Sequence, residues 1–416
     1  MEACIIGAGV IGVTTAWQLA KDGWQVTLVD AANEPAAVTS HANGGQLSYS
    51  YVAPLAEPDV LPHLPQWLLS PNSPLRFTPR LDPHQWSWCL RFLRACTTRT
   101  AARSTAQMLT LSYLSRSVLH EWLAETPIEF GHAFNGKLIV YRTPKLLDRA
   151  RSLVAYQAEH GSAQKVLDAD ACVALEPALA AIRKQIAGGI YTSSEESGDC
   201  ARLTRGLADR LAARGNVQLR MGTAVHHLER VDGAVREVVL VDGSRIRADH
   251  FVVAAGMGSV PLLAPLGSRP ALYPLKGFSL TVPCARGEVP AVSVTDYERK
   301  TVYADLGDRL RIAAMVGLGS KDNRIEPARI ALIKRQVAEL LPRIDLTHAE
   351  AWAGQRPATP DGRPLIGRSR AARNLWVNIG HGALGFTLAC GSGRVLGHLM
   401  AGTEPEIDAG PFTPNC

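Results

Sequence analysis

Residues 3–30 read ACIIGAGVIGVTTAWQLAKDGWQVTLVD, and this stretch decides the fold. Ala3–Ile6 is a short apolar run that predicts a buried strand, and Gly7-Ala8-Gly9-Val10-Ile11-Gly12 follows it at once. Val13 to Lys21 has helical character, with Ala16, Leu19 and Ala20 on one side; Gly23 breaks it, and Gln25–Val29 reads as a second buried strand ending at Asp30. Gly7 permits the tight turn, Gly9 lets backbone N–H groups approach a pyrophosphate, and Gly12 lets the helix pack closely on the strand. Asp30 stands 18 residues beyond Gly12, where a carboxylate can accept bonds from a ribose hydroxyl. The pattern predicts a dinucleotide site formed by Gly7, Gly9, Val10, Ile11 and Gly12, with Asp30 and Ala31 at the ribose. The bland alternative is a glycine-rich turn kept for packing. The acid favours FAD or NAD over NADP and does not choose between those two.

At 416 residues, and roughly 150 per domain, the chain holds two or three domains or one large fold with an insertion. A hydrophobic content of 46% excludes a disordered chain. Lys plus Arg, 44, less Asp plus Glu, 38, leaves +6, spread along the chain and too weak to argue for nucleic acid. The eight cysteines form no C-x-x-C pair and the adjacent His226-His227 lack ligand spacing, so no metal is assigned and a reducing, cytoplasmic interior is the default. Ala3–Ala20 is interrupted by glycines and Phe251–Gly267 by Pro261 and Pro265; neither is read as a bilayer span.

Residues 50–83 are rich in Pro, Leu and Trp and read as irregular. Helices are predicted over His84–Arg103, Leu109–Thr126, Pro144–His160, Cys200–Arg214 with Asp199 as N-cap, Pro327–Leu341 and Thr387–Met400. Strands are predicted at Gly136–Arg142, Val217–Arg220, Ala224–Val231, Val235–Val241, Arg245–Asp249, Phe251–Gly256, Leu275–Val282, Thr301–Ala304, Leu310–Val316 and Leu375–Asn378, with hairpin turns at Asp232-Gly233 and Asp242-Gly243. This order fits an α/β fold in which a Rossmann-like nucleotide-binding domain is interleaved with an α+β substrate domain on a mixed or antiparallel sheet. The expected division gives 1–55, 162–256 and 342–416 to the first domain, and 56–161 and 257–341 to the second.

Three clusters occur where a flavin would need them. Ser40-His41-Ala42-Asn43-Gly44-Gly45-Gln46 offers small and amide residues to a large planar ring, and Ala254-Ala255-Gly256 gives a strand without bulky side chains. Gly380-His381-Gly382-Ala383-Leu384-Gly385-Phe386-Thr387 would present N–H groups and a helix N-terminus to an electron-rich carbonyl. Singly each is an ordinary turn; their meaning lies in occurring together. The stretches CIIGAGVIGV (4–13), SHANGGQLSYSYVAP (40–54), YPLKGFSLTVP (273–283), GQRPATPDGRPLIG (354–367) and LWVNIGHGALGFTLACGSG (375–393) resemble the D-amino-acid dehydrogenase small-subunit family. These are FAD-dependent amine oxidoreductases of the D-amino-acid oxidase, glycine oxidase and sarcosine oxidase superfamily. The similarity runs in order from residue 3 to about residue 400, and the last two stretches together are its most specific part.

The resemblance implies that the first domain binds FAD non-covalently, with Gly7, Gly9 and Gly12 at the pyrophosphate and Asp30 at the adenosine ribose. Ser40, His41, Ala42, Asn43, Gly44, Gly45, Gln46 and Leu47 would line the pyrophosphate and flavin, Val225 would meet the adenine, and Ala254 and Gly256 would flank the cofactor. Gly382, Leu384, Gly385, Phe386 and Thr387 would approach the flavin. Arg356 matches the position of a carboxylate-clamping arginine, the alternative being that it ties down its own Pro-rich loop. His41, Gly45 and Tyr49-Ser50-Tyr51 stand where smaller residues are expected, with Phe278 in place of tyrosine and Phe386 in place of tryptophan. These departures put substrate preference in doubt, but not cofactor use.

The implied reaction is oxidative deamination of a D-amino acid: hydride passes from the α-carbon to FAD, and water converts the imino acid to a 2-oxo acid and ammonia. A related amine reaction on hydroxyproline, D-proline, sarcosine or glycine, with oxygen as a further acceptor, stays open. So, as a different class, does a non-catalytic nucleotide-binding module. His381 is a candidate base against backbone bonding, and Tyr51 and Tyr273 are candidate substrate contacts against packing. Lys276 reads as a solvated loop residue against a flavin-proximal charge, and Cys390 as buried against a covalent flavin link. The resemblance also implies that the electrons pass to the respiratory chain through a quinone or other membrane acceptor. Trp67-Leu68-Leu69, Trp86, Trp88, Leu90, Phe92 and Leu93 interleave with Arg91, Arg94, Arg99 and Arg103, which suits peripheral contact with the inner face of the membrane or tryptophans packed inside with arginines outward.

Overall fold

The computed structural model describes residues 1–58, 60–62, 73–284 and 289–414; Trp67, Leu68 and Leu69 lie outside them. Its first sheet has the order β19-β20-β13-β1-β2-β9. β1 (Glu2–Ile6), β2 (Gln25–Val29), β9 (Val217–Arg220), β13 (His250–Val253) and β20 (Leu375–Ile379) run parallel, and β19 (Leu365–Arg368) closes the edge antiparallel. β1 lies between β2 and β13, with Ile5 opposite both Leu28 and Val252. Buried on both faces, such strands read as continuous apolar runs.

One face carries α1 (Val10–Lys21), α6 (Cys200–Ala212) and α9 (Gly385–Ala401). α1 and α9 cross so closely that a Cβ on Gly393 would lie 2.9 Å from the Thr14 carbonyl oxygen, and Thr14 donates to the Ala389 carbonyl at 3.1 Å. The antiparallel β10 (Val225–Val231), β11 (Ala234–Leu240) and β12 (Arg245–Ile246) share the core of the other face.

The second sheet has the order β18-β14-β17-β16-β15-β5-β7-β6, with β4 (Leu75–Phe77) beside β17. Its central strands are β14 (Tyr273–Pro283), β15 (Ser293–Asp296), β16 (Thr301–Asp305) and β17 (Arg309–Leu318), flanked by β18 (Glu350–Ala358) and by β5 (Lys137–Tyr141), β6 (Gln164–Asp168) and β7 (Gly188–Thr192). α5 (Ala169–Leu175) and α8 (Pro327–Leu340) cover its back. A small ladder, β3 (Gln46–Leu47) with β8 (Glu196–Ser197), joins the halves. α4 (Pro144–Ala158) and the short α7 (Ser259–Leu263) complete the elements used below.

The sequence and the structure part at identifiable places. The helix expected over His84–Arg103 stops at Ala95, because Asp82 caps α2 (Pro83–Ala95) and Thr97 caps a new helix, α3 (Thr98–Glu125), through the Thr100 N–H at 3.2 Å. α3 runs through the expected gap between Arg103 and Leu109 for 28 residues. Asp199 does cap α6, accepting from the Ala201 and Arg202 N–H groups at 2.8 and 3.1 Å. Asp232 and Gly233 both take positive φ, 48° and 76°, as a tight hairpin requires. The strand expected at Arg245–Asp249 pairs only over Arg245–Ile246. The sheets also divide the chain at other points than the expected boundaries. β6, β7 and β18, from segments assigned to the nucleotide half, belong to the second sheet, and α3 packs with Trp17 and α9 in the nucleotide-half core.

Candidate active site

A cavity of ≈ 1350 Å³ lies between the carboxyl ends of the first sheet and the face of the second. Ligands of open α/β sheets bind at the carboxyl ends of their strands. Gly7, with φ +112°, could not carry a side chain: its Cβ would meet the Ala254 carbonyl oxygen at 2.6 Å. A Cβ on Gly12 would drive into the Gly7 carbonyl, so Gly12 serves the helix–strand contact and does not line the cavity. Gly9, Val10 and Ile11 do line it. Val10 N–H donates to Ser40 Oγ at 3.0 Å. The two Asp30 carboxylate oxygens accept from Ala8 N–H at 2.6 Å and Ala32 N–H at 2.8 Å, which fixes the acid at the rim beside Ala31 and Val225. Ala254 and Gly256 form the adjoining wall.

From Ser40 the chain crosses the second sheet as a strap. Ser279 Oγ donates to the Ala42 carbonyl at 2.8 Å and Arg311 to the Asn43 carbonyl at 2.7 Å. Asn43 Oδ1 accepts from Gly45 N–H at 3.0 Å, a Cβ on Gly44 would touch Ala313 and Val302, and Gln46 donates to Ser293 Oγ and Thr295 Oγ1. Ser48 N–H then donates to Thr387 Oγ1 at 3.1 Å, in the first turn of α9. Ala42, Asn43, Gly44, Gly45 and Gln46 line the cavity; His41 is exposed and Leu47 is buried, and both turn away from it. Gly382, Leu384, Gly385, Phe386 and Thr387 line its far end.

Arg356 projects from β18, opposite Leu275, and packs over Gly277, where any side chain would strike its guanidinium. It lines the cavity, donates to the Met315 carbonyl at 3.2 Å, and has no ion-pair partner among the described residues. Burial pushes its guanidinium down to about 10, so it stays charged at neutral pH. Tyr51 lines the cavity, and burial pushes its phenol up. Tyr273 does not: its ring lies under α2 between Trp88 and His84, because Trp88, anchored by its indole N–H on the Ala358 carbonyl, covers that face of β14. Lys276 is neither solvated nor at the cavity; it is buried, with Nζ 3.0 Å from Asp322. Cys390 is buried in α9 away from the cavity, its thiol pushed up by burial.

His381 lines the wall, but its Nε2 is bonded to Ser392 Oγ at 3.0 Å and burial pushes it down to about 3. A neutral, pinned imidazole of such low basicity is a poor proton acceptor at neutral pH. It holds the turn in place.

Sequence reasoning missed Lys137, Glu195, Glu57, Tyr297 and Lys300. All but Glu195 line the cavity, and Glu195 lies behind Lys137. The available signal was a lysine opening the all-buried strand KLIVY. It also missed a surface group: Nε2 of His120 and of His132 each lie 2.8 Å from one oxygen of buried Glu196, with Arg116 at 3.3 Å from the same carboxylate.

The cavity fits an extended dinucleotide. It runs from Asp30 through the glycine turn and the strap to α9, and it exceeds the roughly 300–1,000 Å³ of an ordinary small-molecule pocket. The class agrees: the chain matches the FAD dependent oxidoreductase family over residues 2–399 and belongs to it, with FAD as its cofactor. It is 48% identical to D-amino acid dehydrogenase 2 of Pseudomonas aeruginosa over 416 residues, 99% of this chain and 98% of that one. It is 46% identical to D-amino acid dehydrogenase 2 of Ralstonia nicotianae, covering 99% of each. Glycine oxidase from Geobacillus kaustophilus shares the fold at a TM-score of 0.77 and 23% identity, over 99% of this chain and 98% of that one.

The His381 geometry has a measurable sign. Between its folded value near 3 and the ordinary 6.5, the unfolded chain binds a proton that the folded chain does not. Stability from this residue is therefore complete above pH 6.5 and falls as pH drops below it. Denaturant unfolding at pH 7.5 and 5.0 should show wild type losing about 2 kcal/mol more than His381→Asn. The pH profile of kcat/KM should not move in the variant; a profile that shifts would restore His381 as a base.

Proposed function

We propose that this FAD-dependent oxidoreductase takes hydride from the α-carbon of D-amino acids, releasing an imino acid that water converts to a 2-oxo acid and ammonia. The observation that carries the reading is Arg356, a charged guanidinium on the cavity wall with one backbone partner and no carboxylate of its own. A desolvated cation is costly unless a counter-ion arrives, and the planar fork accepts a carboxylate in bidentate fashion. The relatives named D-amino acid dehydrogenase support the substrate class and its handedness.

Bound FAD supplies the two-electron acceptor. The chain's own groups position everything else. Gly7, Gly9 and the α1 N-terminus would hold the pyrophosphate, Asp30 the ribose, and the strap and the 382–387 turn the ring. Arg356 fixes the substrate carboxylate, which leaves the α-carbon hydrogen one direction in which to leave. The N–H groups of the turn and the N-terminus of α9 stabilise negative charge arriving at that end. No protein base is required once the amine is neutral, which agrees with an inert His381. Arg356→Met should lower kcat/KM for D-alanine about 100-fold, from the roughly 2–5 kcal/mol carried by a buried charged contact. Arg356→Lys, with charge but no fork, should recover part of that. An unchanged kcat/KM in Arg356→Met would remove the clamp.

We further propose that the electrons leave to a quinone or other membrane acceptor, with α2 seated on the bilayer. Among the described residues no helix is long and apolar enough to cross a membrane, and the contact proposed is a peripheral one. α2 turns Trp88 inward and presents Trp86, Leu90 and Leu93, exposed by 50%, 50% and 40%, beside exposed Arg91 and Arg94. Apolar groups flanked by arginines suit the headgroup level of an anionic surface. Wild-type protein should float with anionic vesicles and a Trp86→Ser, Leu90→Ser variant should not; wild type left at the bottom of the gradient would end the membrane reading.

A further inference from the structure

Lys137 opens β5, a strand buried at all five positions, and is 3% exposed, yet its side chain reaches the cavity wall. Its Nζ donates to Ser48 Oγ at 2.8 Å and lies 4.3 Å from the centre of the Tyr51 ring. Behind it stands Glu195, 1% exposed, whose Oε1 accepts from Ser50 N–H at 2.7 Å. Burial pushes the ammonium down and the carboxyl up, and each pulls the other back toward its ionised form. A lysine in the wall thus has an acid behind it, Lys137 tied to the Ser48 hydroxyl and Glu195 to the Ser50 N–H.

A second observation says what the pair faces. Ser48, which accepts from Lys137, donates its own N–H to Thr387 in the first turn of the seventeen-residue α9. A lysine ammonium and a helix N-terminus, both positive, converge on one serine. The Arg356 clamp lies on the other side, five strands away across the second sheet.

We propose that Lys137, balanced by Glu195, is the charge that sets how readily bound FAD accepts hydride. This rests on the FAD reading, with the ring at the α9 end of the cavity. In the step, the substrate C–H bond breaks and its electron pair moves with the hydrogen to the ring. The substrate nitrogen forms a C=N bond and gives up a proton to solvent, so the ring gains one negative charge and the product leaves as a neutral imine. A nearby ammonium favours that charge and a nearby carboxylate opposes it. Glu195 therefore moderates the field of Lys137.

The test is a redox equilibration of the flavin-loaded protein against a reference dye, for wild type, Glu195→Gln and the double variant Lys137→Gln, Glu195→Gln. Glutamine at 137 can still bond Ser48, and glutamine at 195 cannot take up a compensating proton. Without Glu195 the ammonium is held less firmly, so Glu195→Gln and the double variant are compared at pH 6, where the lysine keeps its proton and the two proteins differ in that charge. At one dye potential, the reduced-to-oxidised ratio should fall about tenfold from Glu195→Gln to the double variant, about 30 mV for a two-electron couple. Affinity of the apoprotein for oxidised FAD should stay within about threefold across the series, because the field acts on the added charge and not on the cradle. Ratios equal within about twofold, or ordered the other way, overturn the assignment. Wild-type protein that takes up no FAD would overturn the cofactor reading itself, a different and earlier failure.

Discussion

At Gly7 the backbone turns with φ +112° and passes so near Ala254 that any side chain would collide with its carbonyl. Gly12 meets Gly7 with equally little room. This contact brings β1, β13 and the start of α1 together, and it leaves the first-turn N–H groups of α1 open to the cavity. Ser40 takes one of them, and the strap that begins there ends on the first turn of α9. On its way it lends two carbonyls to Ser279 and Arg311 of the second sheet. One crowded turn therefore fixes where both helix N-termini stand and how the substrate sheet is hung from the nucleotide sheet.

That arrangement explains why the site tolerates charge. Asp30 is satisfied by two backbone amides, Lys137 by Ser48 with Glu195 behind it, and His381 is held neutral by burial. Arg356 differs: among the described residues its guanidinium has a single carbonyl partner, and a cavity lies in front of it. A buried cation without a counter-ion is costly, and this is the basis on which the carboxylate clamp is proposed at Arg356.

The parts legible in the sequence are those where a local rule and the fold agree. The strand–glycine–helix–strand–acid order, the Asp199 cap and the Asp232-Gly233 turn each need only neighbouring residues to be read. The break at Cys96-Thr97 was hidden because Thr97 is one threonine among several, and only the local backbone makes it a cap. Tyr273 and Phe278 are five residues apart on one strand, so parity separates their faces, but nothing local to the strand tells that α2 covers the first. Lys137 and Glu195 come together through pairing of β5 with β7 and the turn that follows it. His120, His132 and Glu196 meet across 76 and 64 residues, a distance no spacing rule spans.

The reaction is defined by what reduces the flavin. The direct measurement is the visible spectrum of the purified protein without oxygen, before and after adding D-alanine or L-alanine. A flavin spectrum bleached by D-alanine and left intact by the L-isomer is the predicted result. Bleaching by L-alanine alone, or a spectrum that no D-amino acid changes, would contradict it.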